Sequence, residues 1–283
     1  MKKLLKTLAA LSLSLTLVAC NSGSSNGGDN KTIKVGATLV PHAEILKDVV
    51  APVLEKEGWK LEVVEFNDYV TPNTALEEGE LDANYFQTLG YMKDQNESGG
   101  LHLTAVAGVH IEPMGLYSQT NSVDSNWELA EGNKVGVPND TDNYNRALEF
   151  LVAGGFLNGV GEENEINGNK DLNPLGLVIT PIEAAGLPRA LEDLDYAVIN
   201  GNYALEAGLP EKLGGALKVE EFNEETSVRR TNYIVVKEGN EGSDKIKALV
   251  AAVTSEEVKK YIEDTYKGAV IPSFVDAEGN PLN

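Results

Sequence analysis

From Lys31 onward the chain alternates between two hydrophobic periodicities, and that alternation restricts the fold more than any other feature. Residues 32–37 alternate β-branched and small side chains with period two, as a strand does. Pro41 suits a first helical turn, where its missing N–H is not needed. Ile45, Leu46, Val49, Val50, Val53 and Leu54 then recur at helical spacing before Gly58. Pro52 inside this run predicts a kink. The same reading places strands over 60–66, 81–85, 101–109, 134–137, 177–180, 196–199 and 233–236. Helices are expected over 72–78, 89–97, 142–153, 181–192, 203–207, 244–253 and 255–266, with 158–174 polar and irregular. Strands separated by helices imply parallel pairing and an α/β class. In open α/β sheets, ligands sit at the carboxyl ends of strands, so the loops that follow strands are where a site belongs.

Residues 1–20 stand outside that pattern. Lys2, Lys3 and Lys6 precede an apolar stretch from Leu8 to Ala19, the layout of an export signal. The stretch is too short for a membrane-spanning helix, which needs about 20 apolar residues, and no later segment approaches that length. It ends in Leu17-Val18-Ala19-Cys20, which looks like a bacterial lipobox whose cysteine is acylated, for instance with palmitate. Cys20 is the only cysteine among 283 residues, so a disulfide within the chain is excluded. Residues 21–30 are Asn, Ser, Gly and Asp, a composition that buries nothing and behaves as a flexible linker. The expected localisation is extracytoplasmic, anchored to the cell membrane by lipid on Cys20. A net charge of −21 leaves no basic stripe to neutralise phosphates, so nucleic acid is not an expected partner.

Catalytic patterns are missing. The three histidines, His42, His102 and His110, form no zinc-protease motif, and there is no nucleophile elbow or phosphate-binding loop. His110 and Glu112 are two ligand types close in sequence, fewer than the three or four a metal needs. No metal, no cofactor and no enzyme activity are expected.

The informative stretches lie where strands run into polar loops. In Val137-Pro138-Asn139-Asp140-Thr141-Asp142-Asn143-Tyr144-Asn145-Arg146, a strand ends and a helix begins, with Thr141 or Asp142 as its N-cap. Asn143 and Arg146 are three apart and share a face of the first turn, and a guanidinium fork suits a carboxylate. A solvated helix arginine, or one that staples two domains, fits the same sequence. Asn200 and Asn202 follow the strand at 196–199, and Asn232 precedes the strand at 233–236. Amides there serve either a ligand or a turn. Tyr69 and Phe86 sit near strand ends, where aromatics belong to the core or to a pocket wall.

Residues 65–73, 82–87, 112–118, 137–148, 183–189 and 197–204, in that order, resemble the methionine-binding lipoproteins of the NlpA/MetQ type. The resemblance implies a two-lobed periplasmic-binding-protein fold of type II with a ligand cleft between lobes. It divides the chain into lobe one, residues 31–111 plus 232–283, and lobe two, residues 112–231. It implies capture of a small amino acid, methionine, for an ABC importer made of a permease and an ATPase. Carried over by motif, Arg146 and Asn143 hold the ligand carboxylate, Asn200 and Asn232 complete the polar contacts, and Tyr69 and Phe86 line the side-chain pocket. The same fold accommodates another apolar amino acid or a short peptide, and a surface adhesin is the reading of a different class. Two positions depart from the family pattern. Thr88 replaces the usual histidine, on the strand face expected to hold residues 84, 86 and 88. Asp142 adds a negative charge near the expected carboxylate site.

Overall fold

The computed structural model describes residues 31–282. The expected export signal, the lipobox with Cys20 and the linker lie outside the described residues.

Two separate sheets carry the fold. The first contains β1 (Thr32–Thr38), β2 (Lys60–Phe66), β3 (Ala83–Thr88), β4 (Leu103–Ile111), β10 (Thr231–Lys237) and β11 (Ile271–Pro272), in the order β11-β4-β10-β3-β1-β2. The second contains β5 (Gly115–Tyr117), β6 (Lys134–Pro138), β7 (Val178–Ile182), β8 (Tyr196–Ile199) and β9 (Lys218–Val219), in the order β7-β6-β8-β5-β9. The chain crosses from the first sheet to the second through residues 112–114. It returns from β9 to β10 through the helix Glu224–Arg230. The α/β class holds, but the sheets are mixed. β1 pairs in parallel with β2 and β3, and β6 with β7 and β8, whereas β10 runs antiparallel to β3 and β4, and β5 antiparallel to β8 and β9. The reversals fall on the strands that make the crossings, β4, β5, β9 and β10, where no intervening helix returns the chain to the same edge.

Each sheet has its own core. Ile33, Val35, Ala37, Tyr85, Val109 and Ile234 pack with Leu46, Leu54, Leu249 and Ile262 on one face of the first sheet. Leu76, Leu89, Met92 and Tyr233 close its other face. Val135, Val137 and Val198 pack with Leu148 and Leu151 of the helix Thr141–Ala153 on the second sheet.

Several local expectations are corrected. The backbone is helical without a break through residues 44–56, with the wider π-type pairing over Leu46–Val50 directly before Pro52, which lies in the α-helical stretch Ala51–Lys56. Pro181 continues β7 instead of starting a helix, and only Ala184–Gly186 and Leu187–Ala190 are helical in that region. A helix at Glu163–Gly168 interrupts the expected irregular segment. The N-cap of the helix Thr141–Ala153 is Asp140, not Thr141 or Asp142: its backbone is extended and its carboxylate accepts from the Asn143 N–H.

Candidate functional site

Seven residues expected at the site, Tyr69, Phe86, Thr88, Asn143, Arg146, Asn200 and Asn232, line one pocket. The cavity is tight: about 20 Å³ is open to the centre of a water-sized sphere, little more than one water needs. The first sheet supplies Tyr69 after β2, Phe86 and Thr88 from the end of β3, and Asn232 from the start of β10. The second supplies Asn143 and Arg146 after β6 and Asn200 after β8. Most of these positions follow the carboxyl ends of parallel strands, as the loop argument requires.

β3 reaches the pocket through a bulge. β10 pairs Tyr233 with Gln87 and Ile234 with Tyr85, which leaves Phe86 as the extra residue. The alternation breaks there, so residues 84, 86 and 88 do not share one face. Asn84 instead joins Gln87 on Asn73: Asn84 Nδ2 donates to Asn73 Oδ1 at 2.8 Å and Gln87 Nε2 to the same atom at 2.6 Å. Thr88 ends the strand and caps the helix Leu89–Gly99, its hydroxyl accepting from the Tyr91 N–H at 3.2 Å. Capping needs a short oxygen side chain, which gives Thr88 a structural duty beside its place in the wall.

One wall is aromatic. Tyr69 lies over Tyr203 at 4.9 Å between ring centroids, with Phe86 at 5.8 Å and Tyr91 at 5.7 Å. Tyr91 donates to the Tyr69 carbonyl, and Tyr69 donates to Asn202 Oδ1 at 2.6 Å. Burial first of all raises both phenols, so they act as neutral donors.

The opposite wall is polar. Both Asp140 oxygens meet Asn143 Nδ2, at 3.0 and 3.2 Å, through one shared amide hydrogen, and Asn143 Oδ1 accepts from Asn200 Nδ2 at 2.9 Å. Asn143, which lines the pocket, therefore keeps a second amide hydrogen that Asp140 does not use. Asn200 Oδ1 and Asn202 Nδ2 are buried without a protein partner. Burial raises the Asp140 carboxyl to about 6, against the pull of its Asn143 donors.

Arg146 is 4% exposed and bound on one edge. Its Nε and Nη2 meet Glu220 at 2.9 and 2.6 Å, and Nη2 also donates to the Glu112 carbonyl at 2.8 Å. The expected bidentate grip on a ligand is thus already filled by Glu220, which the return crossing places there. The Nη1 edge makes none of these bonds and remains for the pocket. Glu220 and Glu112 belong, like Arg146, to residues 112–231, so these bonds do not staple two domains; Arg146 is a buried wall residue tied within its own part of the chain. Asp142, in contrast, does not line the pocket. Arg229 at 2.8 Å and Arg230 at 3.4 Å neutralise it, and its oxygens lie against Gly90 at the start of the helix Leu89–Gly99.

Beneath the pocket His42, His110 and Glu112 converge. The sequence pairs only the last two; the fold adds His42, giving three groups able to hold a metal ion. All three ligand atoms are already engaged. His110 Nε2 meets Glu112 Oε1 at 2.6 Å and His42 Nε2 meets it at 3.2 Å. Burial raises the Glu112 carboxyl, with His42 and Arg146 pulling the other way, and the hydroxyls of Thr38 and Tyr85 meet the two Nδ1 atoms. Burial holds His42 at about 4, with Glu112 pulling the other way, and His110 at about 3. His42 also meets Asn232 Oδ1 at 3.1 Å, which leaves the amide N–H₂ of Asn232 for the pocket.

Sequence reasoning missed Gln87, Tyr91, Glu112, Gly201 and Asn202 as lining residues. Asn202 and Gly201 stood in the polar cluster after 196–199, and the N-x-N spacing around a glycine was the available signal. A Cβ at Gly201 would lie 2.8 Å from Glu112 Cβ and 3.0 Å from the Pro113 carbonyl, so only glycine lets β8 end against the first crossing.

Two sheets joined by two crossings, with a polar and aromatic pocket where their loops meet, define a two-lobed solute-binding protein. The NlpA lipoprotein family matches residues 33–274, and the chain belongs to that family. The chain is similar to the methionine-binding lipoprotein MetQ of Bacillus subtilis, with 35% identity covering 96% of this chain and 99% of the relative. A nutrient-binding protein from Burkholderia cenocepacia bound to methionine superposes with a TM-score of 0.75 at 40% identity, covering 86% of this chain and 100% of that one. A periplasmic substrate-binding protein of an ABC transporter from Coxiella burnetii superposes with a TM-score of 0.73 at 33% identity, covering 85% and 99%. The role of such proteins is binding, not catalysis, and membership places this chain among extracytoplasmic lipoproteins.

Proposed function

We propose that the chain captures methionine in this pocket and delivers it to the permease and ATPase of an ABC importer, held at the membrane by lipid on Cys20. The observation that carries the reading is the pair of orphaned polar atoms. An unpartnered buried group costs about 1–3 kcal/mol, so a site that keeps one acceptor and one donor unpaired is built for a ligand that supplies both complements. A zwitterion does so: its ammonium donates to Asn200 Oδ1, and its carboxylate accepts from Asn202 Nδ2, Asn232 Nδ2 and Arg146 Nη1. The aromatic wall of Tyr69, Phe86 and Tyr91, with Tyr203 stacked on Tyr69, suits a thioether, which contacts rings favourably by about 0.3–1.5 kcal/mol. In this reading the lobes comprise residues 31–111 with 232–283, and residues 112–231, and the ligand bridges them. Thr88 shortens the wall where the family usually has histidine, which favours another apolar amino acid as the second reading.

Mass spectrometry of the small molecules released when the purified protein is denatured tests the proposal. Methionine supports it; a different apolar amino acid moves the assignment to the second reading; a sugar or a peptide overturns both. For the anchor, Cys20→Ser abolishes fatty-acid labelling and membrane retention, and unchanged retention contradicts it.

A further inference from the structure

The polar wall raises a question that the pocket's own lining does not answer. An asparagine amide has an acceptor end and a donor end of nearly equal shape, so something must decide which end of Asn200 faces the ligand. We propose that Asp140 decides it, as a positioning residue that acts through Asn143 and Asn200 to turn an acceptor toward the ligand's ammonium.

A carboxylate only accepts. Asp140 Oδ1 and Oδ2 lie 3.0 and 3.2 Å from Asn143 Nδ2, so that end must be the amide nitrogen; the flipped amide would set three oxygens against one another. Asn143 Oδ1 then points away from Asp140 and toward Asn200, at 2.9 Å from Nδ2. That contact fixes Asn200 in turn, and the end left over is Oδ1, buried and unpartnered in the pocket. Each amide is polarised by the one before it, and the relay starts at a full negative charge. The pocket therefore presents negative character two side chains away from the charge that creates it. The charge itself stays out of reach: Asp140 does not line the pocket.

The same carboxylate caps the helix Thr141–Ala153, its Oδ1 accepting from the Asn143 N–H at 3.0 Å. Capping and polarity are separable. Serine and asparagine both cap well, but neither carries a charge, and each can donate as well as accept, so neither forces the Asn143 amide into one orientation. The groups facing Asp140 are Asp142 on its own helix and the phenols of Tyr69, Tyr91 and Tyr203 from the surrounding segments. Asp142 raises the Asp140 carboxyl further, and the phenols facing it are neutral. A ligand ammonium favours the ionised form, so the bound state holds fewer protons and affinity falls as pH drops through about 6.

The inference rests on the amino-acid reading, and its test keeps the two apart. Ligand-free wild type, Asp140→Ser and Asp140→Asn are titrated with methionine and with methylthiobutyrate, which keeps the carboxylate and thioether and lacks the amine. Loss of an oriented bond to a charged group predicts that both variants lose about 10- to 100-fold in methionine affinity while methylthiobutyrate binding is nearly unchanged. The wild-type preference for methionine should also decline below pH 6, and the variants should lack that decline. Equal weakening of both ligands, or a pH profile that the substitutions leave intact, reduces Asp140 to a helix cap and overturns the inference. If the wild type binds neither compound, the methionine reading fails, and a ligand-free measurement decides the inference. In ¹⁵N-labelled protein the side-chain amide signals of Asn143 and Asn200 should titrate together near pH 6, and both should shift in Asp140→Asn. An Asn200 signal indifferent to pH and to the substitution overturns it.

Discussion

Arg146 serves two partners through two edges of one guanidinium. Glu220 holds the Nε and Nη2 edge, and Nη1 is left for the ligand. Replacing it with alanine strands Glu220, which is only 11% exposed, and removes the pocket's cation. The expected outcome for Arg146→Ala is a loss of about 2–5 kcal/mol in methionine binding by calorimetry. Arg146→Lys keeps the charge but cannot serve both edges, and should recover only part of the loss. Near-wild-type affinity in the alanine variant would make Arg146 structural alone. Arginine three residues after asparagine at a helix start is a visible pattern. Glu220, 74 residues further on, is not, because nothing near Arg146 in the sequence announces a partner delivered by the return crossing. The orphaned atoms of Asn200 and Asn202 are equally invisible beforehand. Whether a buried amide is satisfied depends on what the other sheet brings to it.

At the scale of elements, two helix starts meet across the sheets. The helix Leu89–Gly99 begins at Thr88, and the helix Thr141–Ala153 begins at Asp140. Between them the Asp142 carboxylate lies against Gly90, where a Cβ would come within 2.6 Å of Asp142 Oδ1. Asp142 cannot swing aside, because Arg229 and Arg230 hold it. Gly90→Ala should therefore separate the two helix starts, cost about 1–3 kcal/mol by overpacking, and weaken binding, read by thermal melting and titration together. A variant that melts and binds like wild type would show that the contact yields. The negative charge that Asp142 adds, read from the sequence as a threat to carboxylate binding, is cancelled by arginines from the return crossing. The β3 bulge was likewise hidden: residues 83–88 show no turn signal, and the break comes from β10, whose pairing skips Phe86. By contrast, strands at 32–38, 60–66 and 196–199 and helices at 244–253 and 256–266 were legible to within a residue or two, because periodicity and caps agree there.

At the scale of the whole molecule, the two buried histidines beneath the pocket give stability a pH dependence, which the carboxyl of Glu112, raised by burial, opposes. His42 and His110 sit at about 4 and about 3 when folded, against 6.5 when unfolded. The unfolded chain therefore binds more protons below pH 6.5, and this part of the stability, complete above 6.5, is lost progressively down to about 3. Asp140, raised to about 6, acts in the opposite sense over the window from about 6 down to 3.8. Melting temperature should thus fall on acidification from pH 7.5, most steeply just below 6.5 before Asp140 offsets it. His42→Gln should flatten that first decline; an unchanged slope would remove His42 from the account. The sequence shows the class and the two crossings through its family pattern, but the joining of His42 to Glu112 is a product of the folded crossing. The claim that the pocket takes a zwitterionic amino acid is tested most directly by calorimetric titration of the protein, freed of bound ligand by unfolding and refolding, with methionine. The account predicts saturable binding of one methionine per chain that disappears when the amine is acetylated or the carboxylate esterified. Binding that survives both modifications, or its absence with unmodified methionine and every other apolar amino acid, would contradict it.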